Sequence, residues 1–179
     1  MTAEEVKALV RNVPDFPIKG IQFKDITTVL GNPEGLRWMR DEIVKKYKNL
    51  GITKIVGIES RGFILAPAVA IEFGIGFVPI RKHNKLPAET VSVTYTKEYG
   101  DDTIQIHKDG LKPDDVVLIH DDILATGGSM EAAINLVKKL GVKKIYVNCA
   151  IELIGLHGRE YLEGKAEEIY CLFGMEVDE

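Results

Sequence analysis

The 179-residue sequence lacks the signals of a membrane protein and of a nucleic-acid-binding protein. No apolar run approaches the roughly 20 residues of a membrane-spanning helix, and residues 1–5 have neither the basic region nor the apolar stretch of a signal peptide. The net charge of −4 does not suit sequence-independent binding to nucleic acid, which depends on clustered Lys and Arg. We therefore expect a cytoplasmic protein that binds a small molecule, with neither nucleic acid nor a membrane as its partner.

Cysteine is also scarce, since only Cys149 and Cys171 are present. Two cysteines are too few for a disulfide framework, and neither has a second Cys or a His at metal-ligand spacing. Buried free thiols are the simpler expectation.

The composition is that of an ordinary globular protein, with 45% hydrophobic and 28% charged residues. The length lies within the usual range for one domain, which is about 100 to 200 residues. The sequence contains no internal repeat, low-complexity tract or linker that would mark a boundary. Residues 1–179 are therefore predicted to form a single domain.

Predicted strands and helices alternate along most of the chain, which favours βα units of a parallel sheet. The predicted helices are residues 3–11, 33–50, 62–73 and 128–140. The predicted strands of this sheet are residues 54–58, 76–81, 116–119 and 144–151. The segment between the first two helices, which contains Pro14 and Pro17, is expected to be mostly loop.

Two further runs, residues 91–95 and 103–107, alternate apolar and polar residues around an intervening turn. Such a pattern predicts a β-hairpin. Because the hairpin interrupts the βα units, it is expected to be a mobile flap beside the parallel sheet.

The turn that follows the strand at 116–119 combines two acids with small residues. Asp121 and Asp122 can accept hydrogen bonds from vicinal ribose hydroxyls. Backbone N–H groups at the start of the next helix can hold a 5′-phosphate, and Thr126 and Ser129 add hydroxyl donors. The Lys that follows the second glycine of a P-loop is missing, and no G-x-G-x-x-G of a dinucleotide-binding fold follows a strand. The turn therefore favours a sugar phosphate.

Residues 116–129 as a whole resemble the signature of type I phosphoribosyltransferases. Members of that family share the substrate 5-phosphoribosyl 1-pyrophosphate, and their Mg²⁺ is carried mainly by its diphosphate. The resemblance implies an α/β fold with a mainly parallel central sheet flanked by helices, a flexible catalytic hairpin and a short N-terminal base-binding segment. It also implies a set of ribose-5-phosphate-binding residues, namely Asp121, Asp122, Ala125, Thr126, Gly127, Gly128 and Ser129.

Two positions of this turn depart from the usual family pattern. Ser129 replaces a frequent Thr and keeps the hydroxyl, whereas His120 replaces a usual apolar residue. His120 lies at the strand end, so we expect it to pack or hydrogen-bond locally rather than bind a metal ion.

Residues 16–27 look like the N-terminal segment of the family's adenine-specific members, in which an aromatic ring stacks on the purine. The resemblance gives Phe23 the stacking role and assigns the reading of the base edge to backbone groups near Gln22 and Lys24. Without the resemblance, an ordinary surface loop would be an equal alternative. Leu153 corresponds to a position near the base pocket, but a leucine there is more often part of the core.

Residues 59–63 resemble the family's diphosphate-binding loop, which implies that Ser60 and Arg61 bind the diphosphate. The rigid guanidinium fork suits such an anion. Residues 81–87 in isolation resemble a solvated charge run. Beside anion-binding turns they are expected to gather positive charge over the diphosphate, with a candidate set of Arg81, Lys82 and Lys85.

Residues 95–100 resemble the catalytic flap of the adenine-specific members, which makes Glu98 the candidate acid-base residue. In the 6-oxopurine members, a carboxylate just before the Thr-Gly of the phosphate turn handles the N7 proton of the base. This chain has Ala125 there. The expected reaction is therefore adenine plus 5-phosphoribosyl 1-pyrophosphate giving AMP and diphosphate, with a 6-oxopurine phosphoribosyltransferase as the alternative.

A non-catalytic ligand-binding regulator on the same fold is a second alternative. Such regulators usually need an added DNA-reading module, and none is recognisable in this sequence. Because family members are typically dimeric, the resemblance also implies a homodimer.

Overall fold

The computed structural model describes residues 1–97 and 99–178. Its helices are α1 Ala3–Leu9, α2 Thr27–Leu30, α3 Pro33–Tyr47, α4 Gly62–Phe73, α5 Gly128–Lys138 and α6 Gly158–Tyr161. Its strands are β1 Arg11–Pro14, β2 Gln22–Asp25, β3 Lys54–Ile58, β4 Gly76–Lys82, β5 Thr90–Lys97, β6 Gly100–His107, β7 Val116–Leu124, β8 Lys144–Ile154 and β9 Glu168–Glu176. None of the described helices combines the length and apolar content needed to cross a membrane.

Within the described residues, seven strands form one sheet in the order β5-β6-β4-β3-β7-β8-β9. The five strands from β4 to β9 in that order run parallel, whereas β6 pairs antiparallel with both β4 and β5. This architecture confirms the predicted mainly parallel sheet, with the β5–β6 hairpin at one edge. Because β3 and β7 are parallel neighbours, the turns that follow them lie side by side at the carboxyl end of the sheet.

Helices cover both faces of the sheet and enclose two apolar layers. On one face, Ile134 and Val137 of α5 belong to the same buried cluster as Ile119 of β7. On the other face, Leu118 of β7 joins the cluster formed with α3 and α4, to which α4 contributes Leu65. Successive β7 side chains therefore enter opposite layers, which is why this strand has a continuous apolar sequence before its acids.

Helix α3 is specified by its own sequence, through a capping residue at its amino end and one apolar face. The Asn32 side chain caps its amino end by accepting hydrogen bonds from two backbone N–H groups of the first turn. Met39, Ile43 and Tyr47 recur every fourth residue, so they share one face and are all buried. The Tyr47 hydroxyl donates to the carbonyl oxygen of Val147, at 3.2 Å, and thereby ties α3 to β8.

The N-terminal segment differs from its prediction as mostly loop. It contains β1 and β2, which form an antiparallel ribbon whose register pairs Val13 with Phe23. The two strands have four residues each, and few of their side chains are buried. Because the ribbon is held mainly by its own backbone ladder, its sequence carries no apolar alternation that would reveal it.

Two strands of the main sheet also continue beyond their predicted ends. β7 reaches Leu124 rather than residue 119, which places Asp121 and Asp122 inside the strand instead of in the following turn. β8 reaches Ile154, and the edge strand β9 carries no prediction at all. Polar side chains interrupt the apolar pattern at the end of β7, but the parallel register with β8 holds the backbone extended to Leu124.

Cys149 and Cys171 are buried free thiols, which confirms the prediction made from their number and spacing. They lie opposite each other on β8 and β9. A hydrogen bond with Cys171, and then burial, raises the pKa of the Cys149 thiol, so this sulfur is held in its neutral form.

Candidate active site

The glycine-rich turn joins the end of β7 to the start of α5. Gly127 lies directly before α5 and has a φ of 94°, in the left-handed region that favours glycine. A Cβ at this position would lie 2.9 Å from Cδ1 of Tyr161 and 3.1 Å from the carbonyl oxygen of Gly158. Both constraints require glycine, and the first backbone N–H groups of α5, which follow this turn, have no partner within the helix.

Asp121 and Asp122 stand side by side just before this turn. Arg61 Nε donates to Oδ2 of Asp122, and the Asp122 backbone N–H donates to Oδ1 of Asp121 at 2.9 Å. Burial, and then the neighbouring charge of Asp122, raises the pKa of the Asp121 carboxyl well above its usual range. Asp122 is therefore a carboxylate whose charge is balanced by Arg61, whereas the raised pKa of Asp121 favours its protonated form.

Residues 59–61 form the second turn, between β3 and α4. α4 approaches β7 closely at Gly62, where a Cβ would lie only 2.8 Å from the carbonyl oxygen of His120. This close approach brings Arg61 against Asp122, although the two residues are 61 positions apart in the chain. The two strand-to-helix turns predicted from sequence therefore meet in one site.

The basic segment lies at the end of the neighbouring strand β4. Arg81 Nε lies 3.3 Å from Oε2 of Glu59, and the Lys82 backbone N–H donates to the same oxygen at 2.9 Å. The hydrogen bond from the Lys82 backbone, followed by that from Arg81, lowers the pKa of the Glu59 carboxyl. Lys85 takes part through its carbonyl oxygen, which accepts from Arg81 Nη1 at 3.2 Å.

A cavity of about 440 Å³ opens between these two turns and the hairpin, and we call it the diphosphate cavity after the ligand that the sequence resemblance implies for Ser60 and Arg61. It is lined by Ile58, Glu59, Ser60, Arg61, Ile80, Arg81, Lys82, Tyr95, Lys97, Asp102, Ile104, Asp121, Asp122 and Ser129. The predicted residues Ser60, Arg61, Arg81 and Lys82 are thus brought together, whereas Lys85 does not line the cavity.

A second cavity of about 330 Å³ also borders the acidic pair, and we call it the base cavity after the base-binding role that the sequence resemblance implies for Phe23. It is lined by Ile21, Gln22, Phe23, Lys24, Arg61, Asp121, Asp122, Ile123, Leu124, Ala125, Thr126, Gly127, Gly128, Ser129, Met130 and Leu153. The ribose-phosphate residues and the base-binding residues predicted from sequence all occur in this set. The two cavities share four residues, namely Arg61, Asp121, Asp122 and Ser129.

Phe23 reaches the base cavity from the β1–β2 ribbon. Its ring packs edge-on against Phe16, with centroids 5.2 Å apart, and the Arg61 guanidinium carbon lies 5.6 Å from its centroid. The neighbouring Lys24 is almost fully buried and donates from Nζ to Oδ1 of Asn12 at 3.2 Å. Ring contacts on Phe23 and a partly buried hydrogen bond from Lys24 therefore hold the orientation of the ribbon.

The β5–β6 hairpin forms one wall of the diphosphate cavity through Tyr95, Lys97 and Asp102. The Tyr95 hydroxyl lies 3.4 Å from Oγ of Ser129, so the hairpin contacts the glycine-rich turn, residues 125–129, which is the expected phosphate turn. Glu98, the candidate acid-base residue, lies outside the described residues, but its neighbour Lys97 is in the wall. Sequence reasoning assigned no role to Lys97 or Asp102, because only their pairing across the hairpin places them at the site.

His120 lies under the acidic pair and is buried. Its Nδ1 lies 2.8 Å from Oδ1 of Asn148, whose amide donates to the Tyr170 carbonyl oxygen at 3.1 Å. Burial lowers the pKa of the imidazole, which favours the neutral ring. The hydrogen-bond partner of His120 thus lies on the neighbouring strand β8.

Comparison with known proteins agrees with this geometry. Residues 26–169 match the family described as phosphoribosyl transferase domain. The adenine phosphoribosyltransferase of Bacteroides fragilis is 57% identical over 163 residues, which are 91% of this chain and 92% of that protein.

Solved structures resemble the whole fold as well as the sequence. The adenine phosphoribosyltransferase of Giardia lamblia, in complex with 9-deazaadenine, superposes with a TM-score of 0.94 at 45% identity and covers 98% of each chain. The Saccharomyces cerevisiae enzyme, in complex with adenine and an imino-altritol bisphosphate, has a TM-score of 0.88 at 38% identity, over 95% of this chain and 97% of that one. With its type I phosphoribosyltransferase fold, the chain belongs to the adenine phosphoribosyltransferases of the phosphoribosyl transferase family.

Proposed function

We propose that the protein transfers the 5-phosphoribosyl group of 5-phosphoribosyl 1-pyrophosphate to adenine, giving AMP and diphosphate, a step of purine salvage. The observation that carries the proposal is the junction of the two cavities at Asp121, Asp122 and Arg61. A sugar bound at this junction would have its diphosphate on one side and the incoming base on the other. Relatives from Giardia and yeast, crystallised with 9-deazaadenine and with adenine, support the choice of base.

The sugar donor is proposed to bind through the two strand-to-helix turns. Backbone N–H groups and the hydroxyls of Thr126 and Ser129 would hold the 5-phosphate at the amino end of α5. Asp121 and Asp122 would accept hydrogen bonds from the ribose hydroxyls. On the other side, Ser60, Arg61, Arg81 and Lys82 would hold the diphosphate, with Lys85 fixing Arg81 through its carbonyl oxygen.

Adenine is proposed to enter the base cavity between Phe23 and Leu153. An aromatic face offers oriented stacking and apolar contact to a purine. Backbone donors and acceptors near Gln22 and Lys24 would read the exocyclic amine and its neighbouring ring nitrogen. The small side chain of Ala125 leaves the phosphate turn without a carboxylate directed at the base.

In the reaction, N9 of adenine bonds to the anomeric carbon as the bond from that carbon to the diphosphate oxygen breaks. The adenine N7 proton leaves as N9 bonds, and Glu98 is proposed to accept it when the hairpin closes over the base. Arg61, Arg81 and Lys82 would stabilise the charge that accumulates on the departing diphosphate. Alignment of both reactants and exclusion of water supply the remaining catalysis.

Magnesium is proposed to arrive with the diphosphate of the substrate. No three His, Cys, Asp or Glu side chains within the described part of the chain are close enough to hold a metal ion. Mg²⁺ usually keeps several waters and binds together with substrate phosphates rather than in an all-protein site, so its ligands here would come mainly from the diphosphate. When bound, the ion would neutralise part of the diphosphate charge.

A homodimer is proposed from the exposed face of α4. Ile64 is 42% exposed and Ile71 is 79% exposed, and their spacing of seven residues places them on the same side of the helix. A second copy of the chain would remove this apolar face from water. Light scattering after size-exclusion chromatography should give a mass twice that of one chain. Ile71→Asp should lower the measured mass towards that of one chain. The control Ile18→Asp, in the N-terminal segment, should leave the mass unchanged. The cytoplasmic location stays a prediction from the sequence.

A spectrophotometric assay tests the proposed reaction. Purified protein with Mg²⁺ and 5-phosphoribosyl 1-pyrophosphate is offered adenine, hypoxanthine and guanine in turn. We expect turnover with adenine to exceed turnover with either 6-oxopurine by at least about 100-fold, because a site built to pair with one polar edge leaves buried groups unpaired with the other. Comparable turnover with hypoxanthine would overturn the choice of adenine.

A further inference from the structure

The basic side chains of the diphosphate cavity are held by carboxylates of the same cavity. Arg61 pairs with Asp122, and Arg81 lies beside Glu59. The third pair is Lys97 with Asp102, whose Nζ and Oδ2 atoms lie 2.5 Å apart. Arg61 and Arg81 are proposed above as diphosphate ligands, so the third cation stands in the same environment as the first two.

The hairpin geometry directs Lys97 into the cavity. In the β5–β6 register, Tyr95 pairs with Asp102 and Lys97 pairs with Gly100. Lys97 is therefore diagonal to Asp102 and shares a strand face with Tyr95, since residues two apart point to the same side. Nζ of Lys97 lies 5.5 Å from the centroid of the Tyr95 ring.

Asp102 faces more than one cation of the cavity. Its pKa is lowered first by the hydrogen bond from Lys97, and the charge of Lys82 contributes further. Lys97 is therefore in the electrostatic neighbourhood of a proposed diphosphate ligand. Tyr95, by contrast, makes the contact with Ser129 of the phosphate turn.

The Lys97–Asp102 pair is suited to exchange. The Lys97 side chain is 45% exposed and that of Asp102 is 23% exposed, so solvent screens their attraction and the net contribution of the pair to stability is small. A lysine carries a compact charge on a flexible stem, which can turn from one acceptor to another. A diphosphate brings several anionic oxygens and would compete strongly with a single carboxylate.

We propose that Lys97 is a further ligand of the substrate's diphosphate, and that Asp102 holds its ammonium group in the empty site until the diphosphate replaces the carboxylate. The proposal rests on the function proposed above and adds a hairpin residue to its binding site. It also gives the hairpin a direct attachment to the anion that leaves during the reaction.

Calorimetric titration of the full chain tests this assignment, with 5-phosphoribosyl 1-pyrophosphate and Mg²⁺ as one probe and AMP as the other. Lys97→Met should weaken binding of the first probe about tenfold, because a hydrogen bond between charged groups is lost. AMP carries the 5-phosphate but no diphosphate, so its Kd should change by less than about twofold. Lys97→Arg should restore most of the lost affinity.

Lys108→Met is the matched control. Lys108 follows β6 and pairs with Glu89, with Nζ and Oε1 2.9 Å apart, but neither residue lines the diphosphate cavity. Its loss should leave the Kd of both probes within about twofold of wild type. If both lysine variants behave alike, or if Lys97→Met weakens AMP as much as the sugar donor, the assignment to the diphosphate is wrong.

A double-mutant cycle separates exchange from general charge effects. Asp102→Asn should tighten binding of the sugar donor about threefold in the wild-type background, because Lys97 is released, and much less in the Lys97→Met background. Equal tightening in both backgrounds would mean that Asp102 acts only by its charge, and would overturn the exchange.

Arg81→Met distinguishes failure of the Lys97 proposal from failure of the proposed function. If it weakens binding while Lys97→Met does not, the Lys97 proposal alone fails, whereas a wild-type protein that binds neither probe contradicts the proposed function.

Discussion

The two cavities meet at Asp121 and Asp122 but have different walls. The diphosphate cavity is walled by charged side chains that pair with one another, such as Arg81 with Glu59. Apart from Lys24 and the charged residues that the two cavities share, the base cavity is walled by small, apolar and neutral polar residues, including Phe23 and Leu153. A cationic side chain that is paired with a carboxylate can exchange that partner for a mobile anion. Binding of a flat neutral base instead requires a cavity of matching shape and fixed hydrogen-bonding groups. Under the proposed function, this difference would separate release of the leaving group from selection of the base.

Glu98→Gln should produce the largest change, because it removes the proposed proton acceptor and puts an uncharged side chain of nearly the same shape in its place. General acid-base catalysis contributes about 10²- to 10⁴-fold, so kcat should fall about 100-fold or more. The Kd values for adenine and the sugar donor should stay within about twofold of wild type.

Steady-state and binding measurements check this prediction side by side. Glu89→Gln is the control, since Glu89 is an exposed carboxylate just before β5 whose partner is Lys108. Wild-type kcat in Glu98→Gln would remove Glu98 from the mechanism and leave the hairpin with a binding role only.

Gly127→Ala should give the next largest effect, and it acts on the glycine-rich turn, which lines the base cavity and adjoins Ser129, a residue of both cavities. An alanine there meets both a φ of 94° and the Tyr161 ring, so the amides of the turn must shift. Losing one charge-assisted hydrogen bond weakens binding about tenfold, which should appear in the Kd of both AMP and the sugar donor.

Gly141→Ala provides a matched backbone control. Gly141 also has a positive φ, of 72°, but a Cβ there meets no atom within 4 Å, and the residue lies past the far end of α5. Both variants should lose thermal stability, and only Gly127→Ala should lose affinity. Equal affinities in the two variants would show that the turn does not bind the phosphate.

Phe23→Leu sharpens the contrast between the cavities, because it should affect only the base. Stacking of a base on an aromatic ring is worth about 1–3 kcal/mol, so the KM for adenine should rise about tenfold while that for the sugar donor is unchanged. Phe16→Leu, which alters the edge contact with Phe23, should have a smaller effect on adenine. An unchanged KM for adenine in Phe23→Leu would place the base elsewhere.

Asp121→Asn should have the smallest effect, which is a change in the pH dependence of the thermal stability measured without substrate. The folded-state pKa of Asp121 is raised, so the stability it contributes is present at low pH and is lost as the pH rises through that raised value. Asparagine still accepts the hydrogen bond from the Asp122 N–H without carrying a charge. The Tm of the variant relative to wild type should therefore increase as the pH is raised from the ordinary carboxyl pKa of about 4 towards neutrality. Thermal denaturation across this range measures it, and a difference in Tm that does not change with pH would contradict the raised pKa.

Local sequence patterns were sufficient for most of the fold, whereas the candidate site residues came mainly from the family resemblance. The four-residue spacing of Met39, Ile43 and Tyr47 specifies α3, and the apolar run before Asp121 specifies a buried strand. The β1–β2 ribbon and β9 were not predicted, because short strands and edge strands depend on partner strands that a local sequence pattern does not reveal.

The sequence by itself determined the chemical groups of this protein: an acidic pair before a glycine turn, a second turn with Arg61, and an aromatic residue in the N-terminal segment. It also determined that a carboxylate is absent at Ala125. These are properties of neighbouring residues, and their reason is local backbone geometry and side-chain chemistry.

Only the tertiary structure decided which of these groups face one another. Arg61 reaches Asp122 because β3 and β7 are adjacent and α4 packs closely at Gly62, and Lys97 reaches Asp102 through the register of the hairpin. Strand order and register arise from packing among residues far apart in the chain, so no segment contains them. The same packing brought the ribbon with Phe23 to the phosphate turn and joined the two cavities into one site.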